Sequence, residues 1–188
     1  MKKEKTAIII FCVTISIFLL LFSYKIALNF SALEENQEKT IDFLYGAGEL
    51  EINCTSAEMS HLEDVKGVMK GIDYLFYASL LISTLVLTYF QRRKEILRKM
   101  LKYGGITTIS LSGTILFFSL ISFNFAFTMF HKIFFPQGNW TFSKESLLIQ
   151  TFPLDFFIGI SSLILILTII LGIIFILANK VIKNVYQS

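Results

Sequence analysis

Residues 153–178 read PLDFFIGISSLILILTIILGIIFILA, an apolar run whose only charged residue, Asp155, stands near its start. A helix rises about 1.5 Å per residue, so a run of this length can cross a hydrocarbon core of about 30 Å. Three further runs reach a comparable length, roughly residues 6–28, 71–90 and 106–127. The chain is therefore expected to be an all-α membrane protein with four transmembrane helices.

The composition agrees. Of 188 residues 54% are hydrophobic and 16% charged, with 20 Phe and 2 Pro, and the mean hydropathy is +0.67. Soluble domains carry about 25% charged residues. Nothing outside the four runs is large enough to build a separate soluble core, so residues 1–188 are expected to form a single membrane domain. The first run follows Lys2, Lys3 and Lys5, as a signal peptide would. Its apolar core is at or beyond the roughly 7–15 residues of a signal h-region and no small-x-small cleavage site follows it, which favours a retained helix.

Basic residues suggest the orientation. QRRKEILRKMLK, between the second and third runs, carries six of the 17 Lys and Arg. Lys2, Lys3 and Lys5 precede the first run, and Lys180 and Lys183 follow the last. The positive-inside rule places all three segments in the cytoplasm, so both termini and loop 91–105 are expected inside. Loops 29–70 and 128–152 are then extracytoplasmic. The net charge of +3 is a topological signal and implies no nucleic-acid partner. Cys12 falls in the first run and Cys54 in the first outer loop, with no C-x-x-C pair.

The first outer loop contains helical spacing over Leu33–Tyr45, a turn at Gly46 and Gly48, and the alternating stretch ELEIN over Glu49–Asn53, which suits a short strand. The two outer loops are accordingly expected to form a small α/β cap. A second helical pattern, SAEMSHLEDVKGVMKGIDYLF, runs into the second span, with Ser56 or Ser60 as its N-cap. On that helix His61 and Asp64 share a face, and a carboxylate beside an imidazole can hold its tautomer. The plainer alternative is an exposed histidine in the first turns of a helix.

The second outer loop, FHKIFFPQGNWTFSKESLLIQTFP, is dense in aromatics, as interfacial segments commonly are. An aromatic belt does not explain His131. The chain has 2 histidines, and the expected topology puts both on one membrane face, each near the end of a span. That pair, with Asp64 nearby, is the best candidate site.

The segments DFLYGAGELEI, SHLEDVK, FHKIFFPQGNWTF and LLIQTFPLDFF, in that order, resemble the bacterial lipoprotein intramolecular transacylase family over nearly the whole chain. Leu62 departs from the methionine expected after the histidine. The resemblance implies that a diacylglyceryl-modified N-terminal cysteine passes one acyl chain from its glycerol ester to its own α-amino group, giving a lyso-form lipoprotein. It also implies a bacterial cell-membrane protein whose active site faces the extracytoplasmic side. The partners would be lipidated lipoproteins and membrane phospholipid, with neither nucleic acid nor nucleotide.

That chemistry suits the residues. Ester to amide runs downhill, so no cofactor is called for, and the substrate brings its own nucleophile. An α-amine with a pKa of about 7.7–8.0 needs a base, and imidazole can both take that proton and supply one to the leaving alkoxide. His61 and His131 are the expected acid/base pair, with Asp64 orienting His61. Tyr45, Asn139 and Trp140 are expected to bind the headgroup or an oxyanion. Two rival readings are a metal-dependent hydrolase, using His61, Asp64, His131 and Glu63 or Glu145, and a non-enzymatic four-helix scaffold.

Overall fold

The structure, a computed structural model, describes residues 2–185; Met1, residues 186–188 and the side chains of residues 183–185, among them the basic tail residue Lys183, lie outside the described part. Seven helices follow one another: α1 (Lys2–Phe30), α2 (Glu35–Tyr45), α3 (Ser56–Phe90), α4 (Lys94–Ile121), α5 (Phe123–Phe134), α6 (Leu147–Thr151) and α7 (Leu154–Val185). Four of them, α1, α3, α4 and α7, are long and apolar enough to cross a membrane. In α3 the first turns, up to Lys70, carry Glu58, Glu63, Asp64, Lys66 and Lys70. With His61 these make six ionisable groups in about four turns, each costly to place in hydrocarbon.

The chain forms two compact units. The first comprises Met1–Asn29, Tyr74–Phe117 and Ser162–Ser188. Its core gathers Phe11, Ile15 and Leu19 of α1, Phe90 of α3, and Ile96 and Met100 of α4. Lipid tails are as apolar as these side chains, so close packing and hydrogen bonds must supply the cohesion. Ser16 Oγ lies 2.9 Å from Thr108 Oγ1, joining α1 to α4, and Ser83 donates to Thr14 Oγ1 at 2.9 Å, joining α3 to α1. Gly105 and Gly172 bring α4 and α7 into backbone contact: a Cβ on Gly105 would stand 2.5 Å from the Gly172 carbonyl oxygen.

The second unit comprises Phe30–Asp73 and Phe118–Ser161. It packs Leu44 of α2, Leu62 and Met69 of α3 and Leu148 of α6 into a second core, with Leu50, Val65 and Phe142 against it. Helix α2 ends at Gly46, whose φ of 81° is the left-handed conformation that a residue without Cβ adopts freely. Gln37 of α2 donates to the Thr151 carbonyl of α6 at 2.7 Å.

Three expectations need correcting. The second unit holds no α/β cap: among the described residues there is no strand. Glu49–Asn53 is irregular because one extended stretch with no partner has no ladder to satisfy its backbone; instead Leu50 turns into the core. The N-cap of α3 is Thr55 rather than Ser56 or Ser60. Its backbone N–H donates to Glu58 Oε2 at 2.8 Å while the Glu58 N–H donates to Thr55 Oγ1 at 3.3 Å, a reciprocal capping box. The third apolar run is interrupted, with α4 ending at Ile121 and α5 starting at Phe123. Ser122, extended at φ −156° and ψ 91°, breaks it by accepting the Phe125 N–H on its own side chain.

Candidate active site

His61 sits in the second turn of α3 and His131 in the third turn of α5, and both are only 8% exposed. The exposed-histidine alternative for His61 therefore does not hold. Their rings face each other at 6.3 Å between centroids and 29° between planes. Aromatic side chains enclose the pair. Phe135 meets His61 at 4.9 Å and His131 at 5.6 Å, Phe142 meets His61 at 5.7 Å, and Trp140 meets His131 at 4.9 Å. Phe127, one turn before His131, meets its ring at 4.0 Å, tilted by 38°.

The tautomer of neutral His131 follows from its hydrogen bond. Nδ1 lies 2.8 Å from the Phe127 carbonyl oxygen. A carbonyl only accepts, so Nδ1 carries the proton and Nε2 keeps a free lone pair. Burial pushes the His131 pKa below its ordinary value, partly opposed by that hydrogen bond. His61 is also pushed down, first by burial and then by the neighbouring His131, against the charge of Asp64. Both rings thus rest neutral near pH 7, and His131 presents an unprotonated nitrogen. Nδ1 of His61 is buried and has no hydrogen-bond partner.

Asp64 does not hydrogen-bond His61. Its Oδ2 accepts from Asn139 Nδ2 at 2.7 Å and from Gln137 Nε2 at 2.8 Å, and these two amides hold the carboxyl below the usual carboxylate range. The turn between them contains Gly138 at φ 82°, a left-handed position where any Cβ would be strained. Asp64 thereby anchors the loop that delivers Trp140 to His131. Of the expected site residues, His61, His131, Asp64, Asn139 and Trp140 come together. Tyr45, the last residue of α2, is 43% exposed. Asn139–Phe142 is turn and irregular chain. Among the described residues no group of three or more His, Cys, Asp or Glu side chains could hold a metal ion.

Sequence reasoning missed Glu58, Gln137 and Phe135. Glu58 is 2% exposed and caps two helices at once. One oxygen takes the Thr55 backbone N–H and hydroxyl; the other takes the Ser146 hydroxyl and, at 3.2 Å, the Leu148 N–H at the start of α6. Burial raises its pKa, but these donors, Ser146 foremost, outweigh it and hold the carboxyl at about 2. The Thr55-x-x-Glu58 spacing was the available signal. The partnership with α6 left none.

A helical protein with four apolar membrane-length helices and a buried histidine pair in an aromatic enclosure is the class that this fold and site define. Residues 4–157 match the family model described as "Lipoprotein intramolecular transacylase Lit". The chain belongs to the lipoprotein intramolecular transacylase family, and hence to the membrane acyltransferases that act on lipoproteins. No curated protein matches the chain. Among solved structures, the in meso structure of the membrane-integral lipoprotein intramolecular transacylase Lit from Bacillus cereus is 20% identical. It superposes with a TM-score of 0.85, covering 100% of this chain and 99% of that chain. A histidine-to-arginine mutant of that protein gives 0.83 at 19% identity, covering 99% and 94%; a histidine-to-alanine mutant gives 0.83 at 20%, covering 100% and 97%. At these identities the likeness concerns the fold.

Proposed function

We propose that the chain moves one acyl chain from the glycerol ester of a lipidated N-terminal cysteine to that cysteine's own α-amino group, with His131 and His61 as the acid/base pair. The bond between amine nitrogen and acyl carbon forms as the bond between acyl carbon and glycerol oxygen breaks. The amine proton goes to His131 Nε2, and a proton returns from the histidine pair to the glycerol oxygen. The observation that carries this reading is the His131 hydrogen bond to the Phe127 carbonyl, 2.8 Å long, which leaves Nε2 bare. A buried imidazole that rests neutral is the base a protonated amine requires. The aromatic walls keep water from competing with the amine for the acyl group. Holding amine and ester in one molecule supplies much of the rate by proximity alone.

The same reading places residues 1–188 in a single membrane domain, with spans near 6–28, 71–90, 106–127 (its helix broken at Ser122) and 153–178 and the histidines at the extracytoplasmic surface. Phospholipid surrounds the spans, both termini are cytoplasmic, and no cofactor, nucleotide or nucleic acid takes part. Segment 91–102, with its six basic residues, supports this orientation.

The test is mass spectrometry of the N-terminal peptide of one lipoprotein, in a host that otherwise makes only the diacylglyceryl form. The wild-type chain is expected to yield N-acyl, S-monoacylglyceryl peptide. His61→Ala and His131→Ala are each expected to slow this by about 10²–10⁴-fold. An unmodified peptide from the wild type, or full transfer by both variants, would overturn the reading.

A further inference from the structure

Asn139 was expected to bind a headgroup or donate to an oxyanion, and its surroundings limit what it can do. An ionised carboxylate only accepts, so the bond of 2.7 Å to Asp64 Oδ2 must come from the Asn139 amino group. That fixes which end of the amide is which. The amino group is committed to Asp64, and the carbonyl oxygen Oδ1 faces the other way. Oδ1 is buried and has no hydrogen-bond partner, as is true of His61 Nδ1 in the same unit. A buried polar atom left unsatisfied is costly, and such atoms mark places where a ligand group completes the bonding.

What completes it must donate. A protonated primary amine carries three N–H groups. The unit contains three acceptors, His131 Nε2, Asn139 Oδ1 and, with its proton on Nε2, His61 Nδ1, and Asn139 immediately precedes Trp140, which meets the His131 ring at 4.9 Å. An ester carbonyl or an oxyanion has nothing to donate to these atoms. We propose that Asn139 is a specificity-determining residue for the amine acceptor, its Oδ1 taking an N–H of the substrate's α-amino group. Asp64 is then a positioning residue that acts through Asn139 by holding its amide the right way round. This inference rests on the transacylase reading and adds the recognition of the amine to it.

The test compares binding of two peptides in lipid nanodiscs near pH 7. One carries an S-dialkyl-ether glyceryl group on its N-terminal cysteine and cannot transfer a chain; the other is identical but has hydrogen in place of the α-amino group. Wild type is expected to prefer the amine peptide by about tenfold or more, as a hydrogen bond to a charged group implies. Asn139→Leu is expected to lose about tenfold of that preference through weaker binding of the amine peptide alone, the two histidine acceptors being left in place. The double variant Asp64→Asn/Asn139→Asp reverses the donor and acceptor of the clasp and leaves an oxygen facing the amine, so it keeps the preference. It also keeps the test decisive if Asn139→Leu does not fold. The proposal is overturned if wild type shows no amine preference, if Asn139→Leu retains it undiminished or weakens both peptides alike, or if the double variant loses it. Transfer on the ester peptide, followed by mass spectrometry, reports separately on the transacylase reading.

Discussion

Asn139 Nδ2 donates to Asp64 Oδ2 across 2.7 Å, joining two side chains 75 positions apart. A second amide, from Gln137, reaches the same oxygen at 2.8 Å. The carboxylate expected to orient His61 instead ties a loop to the helix carrying it.

Removing Asp64 should therefore loosen that loop. In Asp64→Ala both amides lose their shared acceptor, and backbone amides over residues 137–142 are expected to exchange hydrogen faster, while α1 and α7 are unchanged. Hydrogen-exchange mass spectrometry in nanodiscs would read this. Unaltered protection across the loop would show that the clasp does not hold it.

The lowered histidine pKa values set the acid limb of activity. Burial disfavours imidazolium at His131 and His61, so both stay neutral below the ordinary 6.5. Transfer is expected to hold steady as pH falls through 6.5 and to drop only as pH passes through the lowered values. Phe135, 3% exposed and against both rings, keeps water out. Phe135→Ala should move the limb upward toward 6.5, which a pH–rate profile would detect. Stability follows the same sign. The unfolded histidines take protons first, so stability is full above about 6.5 and is lost as pH falls toward the lowered values.

Glu58 should matter for folding more than for chemistry. Glu58→Ala removes the acceptor of the N–H of exposed Thr55 and strands the buried Leu148 N–H, at a cost of about 1–3 kcal/mol. Thermal unfolding in detergent should show a clear loss. The carboxyl sits at about 2, below its ordinary 4.5, so its contribution is complete above 4.5 and fades as pH falls toward 2. An acid titration of wild type against Glu58→Gln would isolate it, since the amide has no such transition.

The α4–α7 contact predicts a graded glycine series. Gly105→Ala places a methyl 2.5 Å from a backbone oxygen that cannot move aside, so it should destabilise by about 1–3 kcal/mol. Gly104→Ala meets only the side chains of Ile15 and Phe11, each at 3.1 Å, and should cost less. Gly113→Ala has nothing within 4 Å and should be neutral or slightly stabilising. Melting temperatures that do not follow this order would contradict the packing.

The four membrane-length helices were legible because a bilayer imposes one length and one polarity on any segment that crosses it, and 153–178 meets both without tertiary help. The two histidines stood out by scarcity and by placement beside apolar runs, and the buried pair is where the structure puts them. Other features depended on what each side chain met. The ELEIN stretch had the alternation of a strand, but a strand exists only with a partner. Thr55-x-x-Glu58 announced a helix start, yet nothing near it in the chain foretold that Glu58 would also cap α6 through Ser146, 88 positions away. Asp64 lay one helical turn from His61, and proximity in sequence suggested a pair; packing offered it two amides instead. Hydropathy is a property of a segment by itself, whereas a hydrogen bond between distant residues is decided by which surfaces the folded chain brings within 3 Å.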